Sequence, residues 1–339
     1  MTEKSDATSR LPIKDALARL WAVFGPFLGL LAVAAFFAWQ TRRSGMFLSP
    51  FNLRTIAVQS VTVGIAALGV TLVMIAGGID LSIGSAMALV TVTVAVLMRD
   101  AHAPIAVAIA AGVLVGGLCG LFNGMLITSL GVVPFIVTLG SLKIFRGLAR
   151  RVAGDTQVYV DFQGAKPAWI DQVLSAAPPE PSWLIVAPGV WIFLGLAILL
   201  ALTLRYSVLG RYVYAVGSSE PTARLCGISV PGVKLMVYGL AGLMTGLAGV
   251  MQFLQLDAQG DPGSADGVEL QAIAAVVIGG GSLSGGEGTV LGTLVGCLLI
   301  STLNNGCTHA GYGSASRDVM IGVIIVAAVT IDRLRRRPR

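Results

Sequence analysis

The chain has 339 residues, of which 55% are hydrophobic and only 12% charged; a soluble domain carries about 25% charged residues. That balance excludes an ordinary soluble globular fold, and apolar runs of about 20 residues recur often enough to predict a polytopic helical membrane protein. The net charge of +6 does not mark a nucleic-acid binder, because the basic residues lie at the ends of apolar segments, where cytoplasmic anchoring accounts for them.

Residues 1–20 read as a cytoplasmic tail with a short amphipathic helix over 13–20. A first span follows over about 21–40, with no small-residue cleavage site after it, so it is expected to remain in place. A polar connector containing Pro50 leads to span two over about 55–77, which ends at Gly77-Gly78. Span three runs from Leu81 to about Met98, span four covers about 104–127, and Gly131 and Pro134 mark a break before span five, which ends near Leu148. The polar segment 151–182, with Trp169, three aspartates and Pro178-Pro179-Glu180-Pro181, reads as an external lid or docking surface, or equally as a solvated loop. Span six covers about 183–204. The stretch 205–234 is the most sustained polar break in the chain, and after it span seven runs over about 235–254. A Gly- and Asp-rich loop precedes span eight at about 269–279, which is too short for a full crossing unless the glycines after it continue the path. Spans nine and ten fall at about 288–303 and 318–331. Ten spans put both termini on one side. The basic head and the tail RLRRRPR place that side in the cytoplasm, although Arg146, Arg150 and Arg151 then fall outside.

Within 205–234, SSEPTARLCG has the grammar of a short helix. Ser218 or Ser219 can cap the first amides, and Glu220 sits where the helix dipole favours an anion. Pro221 is tolerated in a first turn, and Gly227 suits a left-handed stop. So short a helix is marginal alone, so it is expected to be held by something, such as a partner protein.

Four other features carry candidate chemistry. GGIDLSIGS (77–85) sets Asp80 between two apolar runs, either to cap the amides of Ser82 and Ile83 or to meet a substrate or gate, since a carboxylate at membrane depth is costly. Asn123 and Asn305, each followed by Gly, are candidates for hydrogen bonding between helices. Phe135 and Thr138, three apart, suit either a pathway lining or ordinary packing. LSGGE (283–287) spells the signature of transport ATPases, but none of the five lysines stands in a GxxxxGK[ST] loop, so this chain builds no nucleotide site and the glycines read as a tight turn. His102 and His309 have no nucleophile beside them, and the four cysteines form no CxxC pair, so neither a hydrolytic centre nor a metal site is expected. A weak internal echo relates IAGGIDLSIG (75–84) to IGGGSLSGGEG (278–288), and VGGLCGLFNG (115–124) to VGCLLISTLNNG (295–306), either as a two-fold repeat of broken helices or as chance likeness between glycine-rich runs.

Four blocks in order, TLVMIAGGIDLSIGSAMAL (71–89), FNGMLITSLGVVPFIVTLGSLKIFRGLA (122–149), LGRYVYAVGSSEPTARLCGISV (209–230) and ELQAIAAVVIGGGSLSGGEGTVLGTLVG (269–296), resemble the membrane permease subunits of bacterial ABC importers. The closest likeness is to the ribose/xylose/galactoside type of sugar permease, a relative of the branched-chain amino-acid permeases. The resemblance covers about 50–330. It implies an all-α permease with about ten transmembrane helices over 21–332, a basic tail over 333–339, and multi-pass residence in the inner membrane. It implies a cytoplasmic ATPase subunit that binds the ATP, a periplasmic sugar-binding protein, a second permease subunit (the same or a different chain), surrounding lipid, no nucleic acid and no cofactor or metal of its own. It makes Ser218, Ser219, Glu220, Pro221, Thr222, Ala223, Arg224, Leu225, Cys226, Gly227 and Ile228 the helix that docks in the ATPase. Ser219 stands where similar permeases often have Asn, and Pro221 where they have a less constrained residue, which implies specialisation for one ATPase. The expected cargo is a monosaccharide or related polyol, and the chain is not expected to be an enzyme. The rivals are a branched-chain amino-acid permease of the same design and an ion-coupled secondary transporter, which would need paired intramembrane carboxylates or a sodium site.

Overall fold

The computed structural model describes residues 13–42, 45–162, 166–178 and 184–335. Most of the expected N-terminal tail (1–12), the Pro179-Glu180-Pro181 run and the last four residues of the basic tail lie outside the described residues. The helices are α1 (Ile13–Gln40), α2 (Pro50–Ile75), α3 (Ile83–Arg99), α4 (Ile105–Leu130), α5 (Pro134–Ala153), α6 (Ala168–Val173), α7 (Pro188–Tyr206), α8 (Val208–Ser218), α9 (Glu220–Leu225), α10 (Val230–Gln255), α11 (Val268–Ile278), α12 (Val290–His309) and α13 (Ser314–Arg335). Two two-residue strands, β1 (Val158–Tyr159) and β2 (Gln259–Gly260), pair antiparallel, with Val158 opposite Gly260. The protein is an all-α membrane protein. By length and composition, α2, α4, α7, α10 and α12 can each cross a bilayer, while α3, α11 and the 25–40 part of α1 are shorter apolar helices.

Local chemistry explains where several helices begin, and it corrects four expected boundaries. The separate helix over 13–20 is continuous with the first span, because no Gly or Pro falls between 13 and 24, and Gly25 and Pro26 both lie inside α1. Pro50 belongs to α2 rather than to a connector: Ser49 is the N-cap, its Oγ accepts from the Asn52 amide at 3.2 Å, and proline fits the first helical position. The same preference starts α7 at Pro188, five residues later than expected. The polar stretch 205–234 holds two helices, because Ser207 caps a further helix, α8, through the Gly210 amide at 3.0 Å.

The core is built around α2. Residues on every face of it are buried, from Val58 to Ile75, against α7, α10, α11 and α12, as a helix apolar all round requires. The closest packing is between α4 and α10, where Gly116 and Gly120 face Gly242 and Gly246. A Cβ built at Gly242 would lie 2.5 Å from the Gly116 carbonyl and 2.8 Å from the Gly120 Cα. Lipid removes most of the hydrophobic drive between helices, so such backbone approach supplies the attraction through dispersion.

The bundle has two unlike ends. At one, α8 and α9 meet the end of α2, the start of α10 and the 279–289 loop before α12. At the other lie the β1–β2 pair and the chain segments that flank it. There the described residues of 151–178 pack on the bundle: the first of them complete α5, Val158 and Ile170 are buried, and Lys166 bridges Asp171 and Asp257. Arg146 reaches across to the carbonyls of Pro262 (2.9 Å) and Ser264 (2.7 Å) and to Asp266. The Lys166 ammonium is held above its ordinary value by its hydrogen bonds to Asp171 and then Asp257.

Candidate functional site

The α9 helix is short, capped and presented outward. Its N-cap is Ser219, whose Oγ accepts from the Thr222 amide at 3.3 Å and pairs with the Thr222 hydroxyl at 2.8 Å; Ser218 ends α8 instead. Pro221 occupies the first turn, and Glu220 beside it forms an ion pair with Lys234 at the start of α10 and a longer one, 4.0 Å, with Arg224. Gly227 has φ +78°, and the amides of Gly227 and Ile228 return to the carbonyls of Arg224 and Ala223, both at 3.0 Å, the left-handed stop that its sequence predicts. Ala223 is the residue that turns inward, at 3% exposure. Leu225 is 89% exposed, and Thr222, Arg224 and Cys226 lie on the outside with it. The helix thus holds one small residue inward and leaves a large apolar side chain bare.

Behind α9, the break between α2 and α3 carries the buried carboxylate. Asp80 Oδ1 accepts from the Ser82 amide at 2.8 Å and from the Ser82 hydroxyl at 2.7 Å. Asn123 Nδ2 donates to the same hydroxyl oxygen at 2.8 Å, so Asp80, Ser82 and Asn123 form one chain of hydrogen bonds. Thr138 is fully buried, and its hydroxyl meets the Ile79 carbonyl at 3.1 Å. Asp80, Ser82 and Asn123 line a narrow cleft with Cys119 and Thr245, in which Asn123 Oδ1 is buried without a hydrogen-bond partner among the described residues. The fold thus brings Asp80, Asn123 and Thr138 together. Phe135 is 45% exposed on the outside of α5 and does not join them.

Asn305 lies at the opposite end. Its side-chain amide exchanges two hydrogen bonds with that of Asn52, each 2.9 Å. Asn52 Oδ1 also meets His309 Nε2 at 2.9 Å, and Asn52 Nδ2 donates to the Phe47 carbonyl at 2.8 Å. This cluster fastens the start of α2 to the end of α12. Among the described residues, no three His, Cys, Asp or Glu side chains gather in a way that would hold a metal ion.

Residues 52–329 match the family described as the permease component of branched-chain amino acid transport systems. The chain belongs to this permease family. It is 38% identical to the ribose import permease of Bacillus subtilis, covering 91% of this chain and 92% of that one. It is 34% identical to the ribose import permease of Escherichia coli K12 over 91% of this chain and 93% of that one. The D-allose transport system permease of the same organism is 35% identical over 98% and 97%. No solved structure matches the chain. A permease is a transport protein and not an enzyme.

Sequence reasoning about this permease named Ser82 only through its amide, as a partner of Asp80, and missed its hydroxyl together with Asn52 and Thr245. Ser82 was legible, because Asp two residues before Ser is a local capping pattern. Asn52 and Thr245 carried no local signal, since the groups they accompany are distant along the chain.

Proposed function

We propose that the chain is the permease subunit of an ATP-driven importer that carries a monosaccharide or related polyol across the bacterial inner membrane. In this reading the main apolar helices supply about ten spans, both termini face the cytoplasm, and the α8–α9 end is cytoplasmic. The cytoplasmic ATPase docks on α9, a periplasmic binding protein delivers the sugar at the β1–β2 end, and a second permease subunit, identical or related, completes the pathway. The single observation that carries the reading is α9 itself. Leu225 stands 89% exposed on a helix whose cap, stop and ion pairs are all satisfied within the chain. An exposed leucine is suited to a socket on another protein, and energy is expected from outside because the lysines here stand in no phosphate-cradling loop. The named relatives are ribose import permeases and a D-allose transport system permease, which supports a sugar as cargo.

The description of the matching family favours one second reading, a branched-chain amino acid as cargo. Vesicles containing this permease with its co-expressed ATPase and binding protein separate the two. Uptake of labelled ribose or allose that requires ATP, survives collapse of the ion gradients and is not competed by leucine supports the sugar importer. Leucine uptake under the same conditions selects the second reading, and uptake that follows a proton or sodium gradient without the ATPase overturns both.

A further inference from the structure

The end of α8, two residues before the α9 cap, is clamped between both glycine-broken loops of the bundle. The Gly286 amide donates to the Ile75 carbonyl at 2.9 Å, which joins the 279–289 loop to the end of α2. Gly217, in the last turn of α8, lies directly over that bond. A Cβ built there would collide with the Ile75 carbonyl oxygen and stand 2.7 Å from the Gly286 nitrogen. From the other side, a Cβ at Gly285 would lie 2.7 Å from the Gly217 carbonyl and 2.8 Å from the Gly77 Cα. Gly77 and Gly285 have φ of +80° and +86°, so each also needs glycine for its backbone conformation. One turn back along α8, the Tyr214 hydroxyl donates to the Gly288 carbonyl at 2.8 Å. Three backbone segments therefore meet with no side chain between them.

What each segment leads to gives the joint its meaning. The 76–82 loop connects α2 to α3, and Asp80 and Ser82 of the polar cleft follow Gly77 by three and five residues. The 279–289 loop connects α11 to α12. Side chains adjust by changing rotamer, whereas backbones in direct contact pass on a displacement, because packed interfaces have discrete arrangements and resist continuous deformation. A shift of α8 would reach both helix pairs and the cleft together.

We propose that Gly217, with Gly77 and Gly285, is the transmission joint of the transporter: the end of α8 and both glycine loops move as one body and carry displacement of α9 to the Asp80–Asn123 cleft. Gly217 is a positioning residue and touches no substrate. The proposal rests on the importer reading, and it says which contact converts ATPase docking into opening of the pathway.

The test uses the complete transporter, with permease, ATPase and binding protein reconstituted in lipid. In Gly217→Ala, the ATPase still co-purifies and basal ATP hydrolysis persists, but stimulation by sugar-loaded binding protein and sugar uptake both fall by roughly tenfold, within the range of typical coupling between sites. Tyr214→Phe keeps all three backbones in contact and removes one bond, so stimulation falls by a smaller factor with basal hydrolysis unchanged. It also serves where the alanine variant does not assemble. Stimulation and uptake at wild-type levels in either variant would overturn the joint, as would a proportional loss of basal and stimulated hydrolysis in both, which signifies a purely structural role. A wild-type transporter without ATP-dependent sugar uptake would instead sink the importer reading and the joint with it.

Discussion

The two ends of this permease are held together in different ways. At the α8–α9 end, backbones meet directly: Gly217 on the Ile75–Gly286 bond, and Gly285 between Gly217 and Gly77. At the β1–β2 end the links are side chains: Lys166 with Asp171 and Asp257, Arg146 with two carbonyls and Asp266, and the Asn52–Asn305 amide pair. Exposed ion pairs are weak and screened by salt. Backbone contacts at glycine tolerate almost no change in spacing. The first end is built to keep three segments in register, and the second fastens its loop through ion pairs and one buried amide pair.

Among side-chain changes, the largest effect is expected at the buried Asn pair. Asn52→Leu leaves the Asn305 amide and the Phe47 carbonyl short of partners in a buried site, which costs about 1–3 kcal/mol. Thermal unfolding in detergent would show it, and adding Asn305→Leu should recover part of the loss by removing both polar partners. If the double variant is the less stable by the full sum, the pair is not coupled. An intermediate effect is expected at Ser219→Ala, which removes the α9 cap at about 1 kcal/mol. ATPase affinity measured on the purified permease should weaken several-fold while the fold stays intact, and unchanged affinity would mean that α9 is ordered by the partner alone.

The smallest effect is expected at Lys166→Met. Because Asp171 and Asp257 raise the Lys166 pKa, the ion pair is fully present at neutral pH and is lost only as pH rises through that raised value. Stability of wild type and variant should therefore differ little near neutrality, converge further in high salt, and become equal in strong alkali. A large loss at neutral pH would show that the sheet end is as demanding as the glycine end, and would break the contrast drawn between them.

Much of the site was legible before any fold was known. The α9 helix could be read from Ser219, Glu220, Pro221 and Gly227, because caps and stops depend on residues only a few positions apart. Asp80 stood out because charge is rare between apolar runs, yet its neighbours Asn123 and Thr138 were separate candidates until α3, α4 and α5 were seen side by side. Phe135 and Thr138 shared a spacing but not an environment, since residue spacing gives a face without saying what covers it. Asn305 reads as a helix-pairing residue and does pair α12 with α2, although nothing local names its partner Asn52, 253 positions away.

The sequence by itself determined a multi-helix membrane permease, the cap and stop of α9, and the family to which it belongs. These are written in composition, in short-range hydrogen-bonding patterns and in ordered blocks of residues. Only the tertiary structure decided that the two glycine loops and the end of α8 are one contact. Glycine announces that something comes close, but it has no side chain to record what, and the partners of Gly217 become neighbours only when α2, α8, α11 and α12 are packed together.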